Sequence, residues 1–425
     1  MRSRMTPPFD VVVRNARAVF TADGPEGGTT DELLGAIPAG AVAITGGQVA
    51  WLGKEAELPT GAMGPRTEMV DAGGGLVAPG FVDSHTHLVW AGDRANEFAL
   101  RCAGADYLAI AREGGGIAAT VRAVREASEE QLVALALPRL QRLLEQGVTT
   151  AEAKSGYGLE PETELRMLRA IRTLGIRQPI SLLPTFLWPH ALPSEWQQDR
   201  GGFLAQGRTV LRTVAAEKLA RFADAFVDKG AFTAEEVRPL LEEARSLGLG
   251  LKLHVDQLRP TKGAEFAAAL GAISADHLEA VSSKGILALA AAKVTAVLLP
   301  TATLVLRLPN YAPGRAMVRE GVQVGVASNV NPGSAPTENL ALAMSLACLQ
   351  NGLTPEQALL GVTRFGGTAL GDATLGRLRV GRPADLVVLG APDVAHLISH
   401  LGVSHVQRVL KAGRTVLRST HAARC

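Results

Sequence analysis

Aromatic residues make up only 4% of this chain, and there are only three cysteines in its 425 residues. Cys102, Cys348 and Cys425 stand far apart, with neither the density of a disulfide framework nor the spacing of a thiolate metal site, and read as reduced thiols. Long apolar runs are missing too: none approaches the roughly 18 residues that a membrane span requires. The N-terminal MRSRMTPPFD lacks the apolar stretch of a signal peptide. The expected location is therefore cytoplasmic. Excess charge of either sign is also absent, with 43 Lys+Arg against 41 Asp+Glu. No basic cluster interleaved with aromatics appears, which excludes nucleic acid and a membrane surface as partners.

What is present is a globular composition, 47% hydrophobic and 20% charged, rich in glycine at 46 residues. The length exceeds one ordinary compact core and fits a barrel of about 250 to 300 residues with a smaller module. Short β-prone runs, DVVVRNARAVF and GAVAITGGQVAWLG, occupy the N-terminal part. The same texture returns in GRLRVGRPADLVVLG and HVQRVLKAGRTVL near the other end. This predicts a small β-sandwich built from both termini, residues 1–73 plus 372–425. Between them, residues 74–371 alternate apolar runs with Ala/Leu/Glu/Arg-rich helical stretches, the pattern of a parallel sheet with crossover helices. The runs are GLVAPGFVDSHTHLV, GVTTAEAKSG, PISLLPTFLWPH, FADAFVDKG, GLKLHVDQ, GAISADHL, TAVLLPTA and GVQVGVASNVNPG, and eight such runs predict an α/β fold, a (β/α)8 TIM-like barrel.

Five of the nine histidines, His85, His87, His190, His254 and His277, fall at or just past the ends of these runs, where such a barrel carries its active site. His85 and His87 are two apart on a strand, so both imidazoles face one side and can reach a single ion. A bare HxH is a common accident; its place at the end of the first run, with His254 and His277 ending the fifth and sixth, makes it a metal-site candidate. Imidazole suits Zn²⁺ or Fe²⁺, and three protein ligands plus water is the open arrangement of a catalytic metal. His396 and His400, four apart, are expected on a solvated helix face.

VDSHTHLVW, LKLHVDQ, ISADHLE and the polar end of the eighth run resemble the metal-dependent amidohydrolase superfamily. Within it, HTHLVWAGDRANEFALR, EGGGIAATV, AEAKSGYGLEPETELRML, PTFLWPH, DQL, SADHLE and NPGS, in that order, resemble the imidazolonepropionases, the ring-opening hydrolases of histidine degradation. The resemblance runs from about residue 75 to 370 and implies one divalent metal, zinc or iron, held by His85, His87, His254 and the residue at position 329. It implies His277 beside the nucleophilic water, and His277, Gln257 and Asn329 as the catalytic set. It also implies a small anionic heterocycle as substrate, held by Arg94, Tyr157 and His190, with Gln257, Asn331, Gly333 and Ser334 lining the ring pocket. A guanidinium suits a propionate carboxylate because it binds bidentately. Barrels of this kind are often homodimers.

The chain departs from the family at GVASNVNPGS: the resembled sequences end this run Asp-x-Asn-Pro-Gly-Ser, and here Asn329 replaces the aspartate. An amide is neutral and cannot take the proton of a water, so activity is expected to be reduced. Trp188-Pro189 and Val227-Asp228 are further departures that bear on pocket shape. Lys154 resembles the carbamylated lysine of dinuclear members, but the resembled family is mononuclear, so Lys154 is expected to be structural. The implied reaction is hydrolysis of 4-imidazolone-5-propanoate to N-formimidoyl-L-glutamate. Another cyclic amidohydrolase or heterocycle deaminase, and a silenced substrate-binding variant, natural or engineered, stay open as alternatives.

Overall fold

The computed structural model describes residues 9–59, 61, 63–104 and 115–419. Most of MRSRMTPPFD, Glu113 and Gly114 of the EGGG motif, His421 and Cys425 lie outside the described residues.

Eight strands form one parallel sheet in strict sequence order. They are β1 Phe81–Asp83, β2 Val148–Lys154, β3 Ser181–Phe186, β4 Phe222–Val227, β5 Gly250–Val255, β6 Ser274–His277, β7 Thr295–Leu298 and β8 Val324–Val326. Strands buried on both faces read as continuous apolar runs, which is why these eight were legible. Crossover helices cover the outside, each started by its own sequence. Glu129–Glu145 opens with a Ser128/Gln131 capping box and lays Leu132, Ala136, Leu140 and Leu143 on the core at helical spacing. Ala234–Ser246 opens with Thr233/Glu236 and buries Val237, Leu240, Leu241 and Ala244.

The seam between β8 and β1 is bridged just past the strand ends. The Asn329 amide N–H donates to the His85 carbonyl (3.1 Å), and the His87 N–H to the Val330 carbonyl (2.9 Å). Barrel closure therefore sets the backbone of the HxH segment and of Asn329 together.

Two further sheets flank the barrel. One pairs the strands Gln48–Lys54, Gly40–Thr45, Val11–Arg14 and Glu68–Asp71; the other runs Arg414–Arg418, Val406–Lys411, Leu386–Leu389, Leu76–Pro79, Ala18–Phe20 and Ala36–Pro38. N- and C-terminal strands thus share a sheet, and Val13, Val42, Val70, Val77, Leu386 and Val388 make a common core. The run GLVAPGFVDSHTHLV, expected as one strand, is two. Leu76–Pro79 pairs antiparallel with Leu386–Leu389, and β1 begins after Gly80. A Cβ at Gly80 would lie 2.2 Å from Thr149 Oγ1, so the chain passes here only without a side chain. Among the described residues no helix is long and apolar enough to cross a membrane.

Candidate active site

Charged residues interrupt the apolar strands at alternate positions, so they point into the barrel. Glu152 and Lys154 come from β2, Asp224 from β4, Lys252 and His254 from β5, Ser274 and Asp276 from β6, all buried. Lys154 Nζ donates to Glu152 Oε1 (2.8 Å) and Asp224 Oδ2 (2.7 Å). Lys252 Nζ donates to Ser274 Oγ (2.8 Å) and the Ala369 carbonyl (3.0 Å), and stands 3.7 Å from Asp276. Burial disfavours the Lys154 ammonium, but Asp224, Glu152 and Asp276 outweigh it and lift its pKa above the usual lysine value. Both carboxylates bonded to Lys154 thus compensate its buried charge.

The histidines stand on this layer. Nδ1 of His85 bonds Asp276 Oδ2 at 2.6 Å, and Nδ1 of His254 meets Asp224 Oδ2 at 3.0 Å. A proton held at Nδ1 by a carboxylate leaves the lone pair at Nε2. Those lone pairs converge: Nε2 of His87 lies 3.2 Å from Nε2 of His85 and 3.3 Å from Nε2 of His254. Burial first, then Lys154 and the neighbouring imidazoles, push His85 and His87 far below the usual imidazole range. Burial lowers His254 to about 3, against the pull of Asp224. Burial also works to neutralise Asp224, but His254 and Lys154 hold it well below the usual carboxylate range. Neutral imidazoles with lone pairs this close repel unless a cation sits among them. Ligands about 2.0–2.1 Å from a tetrahedral ion stand about 3.4 Å apart, so the donor set fits a divalent metal. The ligand atoms of His85, His254 and His277 also lie within 4.8 Å of one another.

His85 and His87 were expected on the strand itself; β1 ends at Asp83, and they lie in the extended segment beyond it, spaced by the seam hydrogen bonds. Asn329 takes a left-handed backbone, φ 56°. Its buried Oδ1 has no hydrogen-bond partner among the described residues, so a coordinating oxygen is available there. Asn331 does something else. Its Oδ1 accepts the N–H groups of Gly333 (2.9 Å) and Ser334 (2.8 Å), and its Nδ2 donates to the Asn329 carbonyl (2.7 Å) and Ser334 Oγ (2.9 Å). Both hydrogens and both lone-pair sides are taken within the turn, so Asn331 shapes the Gly333–Ser334 segment expected at the ring pocket.

His277 ends β6, where alternation alone would aim it away from Asp276. Left-handed φ values at His277 (82°) and Leu278 (71°) turn the chain, and two such non-glycine residues cost about 1–3 kcal/mol each. The turn places His277 with the other histidines and brings its Nδ1 to 3.5 Å from Glu279 Oε1. Tyr157 and His190 complete a ring cluster: His190 stacks on His87 (5.0 Å, 18°), and Tyr157 lies 5.3 Å from His190 and 5.8 Å from His87. Burial lowers His190 to about 4, opposed by its bond to the Gly156 carbonyl.

Arg94 is not an idle surface arginine. It is paired with Glu97 (2.8 Å), and its guanidinium lies so close over Gly333 that a Cβ there would sit 2.0 Å from Nη1. Gly333 therefore serves by having no side chain. Ser334 stays within the Asn331 turn, and Gln257 follows β5, where Asp228 fixes the next amide, Leu258 N–H (2.7 Å). Trp188, expected to bear on pocket shape, points the other way. It is fully buried, bonds the Phe203 carbonyl (2.9 Å) and stacks on Phe203 against helix Arg200–Ala216.

Sequence reasoning missed Glu152, Asp224, Lys252, Asp276, Glu97 and Glu279. For Glu152 and Lys252 a signal existed: each stands two residues from Lys154 or His254 inside a buried strand, and such a pair has nowhere to go but the barrel interior.

Neighbouring imidazoles at the strand ends of a parallel barrel, backed by buried carboxylates, define a barrel built to hold a metal ion. The chain matches the amidohydrolase family over residues 76–416 and belongs to it. More narrowly, it belongs with the imidazolonepropionases of that family. It is 53% identical to the imidazolonepropionase of Myxococcus xanthus (strain DK1622) over 96% of this chain and 98% of that protein. It is 42% identical to that of Bacillus velezensis (strain DSM 23117 / BGSC 10A6 / LMG 26770 / FZB42) over 99% and 100%. Among solved structures, 5-methylcytosine deaminase from Klebsiella pneumoniae has the same fold, with TM-score 0.73 at 18% identity over 96% of this chain and 98% of that one. So does a zinc-bound adenosine deaminase from Xanthomonas campestris, with TM-score 0.70 at 17% identity over 97% and 94%.

Proposed function

We propose that this chain hydrolyses 4-imidazolone-5-propanoate to N-formimidoyl-L-glutamate, a ring-opening step of histidine degradation. The observation that carries the reading is the approach of His87 Nε2 to within 3.3 Å of the Nε2 atoms of His85 and His254, whose Nδ1 atoms are held by buried carboxylates. His85, His87, His254 and the Asn329 amide oxygen would hold one divalent ion, and this donor set suits zinc or iron. When bound, such an ion polarises a carbonyl and lowers the pKa of water from 15.7 towards about 7.

The chain's own residues do the rest. His277 takes the proton of the attacking water and returns it to the ring nitrogen that leaves as the amide C–N bond breaks. Glu279 faces its other nitrogen. Glu97 holds the Nε side of Arg94, and the guanidinium edge that it leaves binds the propionate carboxylate. His190, stacked on His87, and Tyr157, tilted against both rings, hold the substrate so that attack is effectively intramolecular. Gln257, carried past the end of β5, offers an amide to the ring.

Asn329 lowers the rate, in this reading, because its amide neither accepts a proton nor offsets the charge of the ion. The test is hydrolysis of 4-imidazolone-5-propanoate, followed by loss of the ring chromophore, by the chain and by Asn329→Asp. Substrate binding without turnover in either protein would sink the proposal.

A further inference from the structure

Glu164 has no part in the chemistry above, yet it is a fully buried carboxylate. It sits in the first turn of helix Pro161–Arg177 and turns back towards the SGYGL loop. Backbone amides, rather than a basic side chain, hold it. Gly156 N–H reaches both oxygens (3.1 and 3.0 Å), while Gly158 N–H (2.8 Å) and Leu159 N–H (2.9 Å) reach Oε1. A buried charge costs heavily unless such donors surround it, so its place asks for a reason.

The reason lies one peptide further on. Gly156 gives its N–H to Glu164 and its carbonyl to Nδ1 of His190 (2.8 Å). Tyr157 is carried between the two anchored amides of Gly156 and Gly158. Ser155 Oγ also accepts the Leu187 N–H (3.1 Å), tying the loop to the segment that leads to His190. The glycines are required by this arrangement. At Gly156, φ is 99° and a Cβ would lie 2.8 Å from the Leu187 carbonyl oxygen; at Gly158 a Cβ would lie 2.7 Å from the Glu164 nitrogen.

We infer that Glu164 is a positioning residue for substrate recognition: one buried carboxylate sets both Tyr157 and His190 against His87, and so governs how tightly the substrate is held rather than the bond-breaking step. This rests on the reading that Tyr157 and His190 contact the substrate. In Glu164→Gln the new NH₂ meets amide donors, and losing bonds of this kind predicts a KM raised about 10- to 100-fold. With uniform binding as the loss, kcat stays within about threefold and metal content is unchanged.

Gly158→Ala, which pushes the loop from the helix without touching the carboxylate, is expected to give the same signature and serves if Glu164→Gln fails to fold. Glu160→Gln, one turn earlier and outside the nest, is the control and is expected to leave KM unchanged. An unchanged KM in Glu164→Gln, or a joint fall of kcat, metal content and melting temperature in both variants, would overturn the inference. Tyr157→Phe and His190→Gln separate the two levels. If they raise KM while Glu164→Gln does not, the positioning role alone is wrong; if they leave KM untouched, the reading of the pocket fails first.

Discussion

Two groups of histidines in this molecule share a residue type and almost nothing else. At the barrel mouth, His85, His87, His254 and His277 are buried, two of them pinned at Nδ1 by carboxylates, with Nε2 of His87 within 3.3 Å of those of His85 and His254. At the C-terminal helix Val394–Ser399, His396 is exposed and its ring bonds the N-cap Asp393 (2.8 Å), and the neighbouring His400 meets His405 at 3.2 Å. Proximity exists in both groups. The barrel group adds fixed tautomers and a shared focus, which the strand-end geometry and the charged layer beneath supply.

The sharpest way to break the comparison is His254→Ala. It should release the ion and lower kcat/KM by about 10³-fold or more, as several kcal/mol of Lewis-acid stabilisation are lost; metal analysis and steady-state kinetics check it. Asn329→Asp works in the opposite direction. Restoring a proton acceptor at the unpartnered Oδ1 should raise kcat/KM by about 10²-fold. Asp224→Asn leaves every ligand in place but removes the carboxylate that orients His254, and metal affinity should fall about 10- to 100-fold in a chelator competition.

Acid supplies a fourth test. His190 has a folded pKa of about 4 against an ordinary 6.5, so below 6.5 the unfolded chain binds more protons than the folded one. Its contribution to stability is therefore complete above 6.5 and is lost as pH falls towards 4, by up to about 1.4 kcal/mol per pH unit. Denaturant unfolding of the metal-free protein at pH 6.5 and 4.5 should show this loss, and His190→Gln should make it shallower. The smallest effect belongs to the other group: His396→Ala should leave activity and metal content alone and shift stability by no more than about 0.5 kcal/mol.

The same contrast explains what the sequence made legible. Strand-end position separated His85, His87, His190, His254 and His277 from the C-terminal histidines, because parallel strands buried on both faces announce themselves as apolar runs. The charged layer was readable in principle from Glu152 and Lys154, or Lys252 and His254, alternating within such runs. Its pairings were not, since most join different strands, from Lys252 and Ser274, 22 residues apart, to Lys154 and Asp224, 70 apart. The split at Gly80 was hidden because both halves are equally apolar and only the contact with Thr149 divides them. Asn331 drew attention as a polar residue at a strand end, but its commitment to the Gly333–Ser334 turn is a matter of three-dimensional hydrogen bonding. Trp188 likewise looked like a pocket residue, and only the fold turns it towards Phe203.

The central claim, that the barrel histidines make a metal-dependent ring-opening site, is tested most directly by stripping the chain of metal and assaying 4-imidazolone-5-propanoate. The same protein is then reloaded with zinc or iron, and His254→Ala is run in parallel. Turnover that appears only with the ion, at one ion per chain, and that vanishes with the ion in His254→Ala is the predicted result. Full turnover in the stripped chain, or ion binding undiminished by His254→Ala, would contradict it.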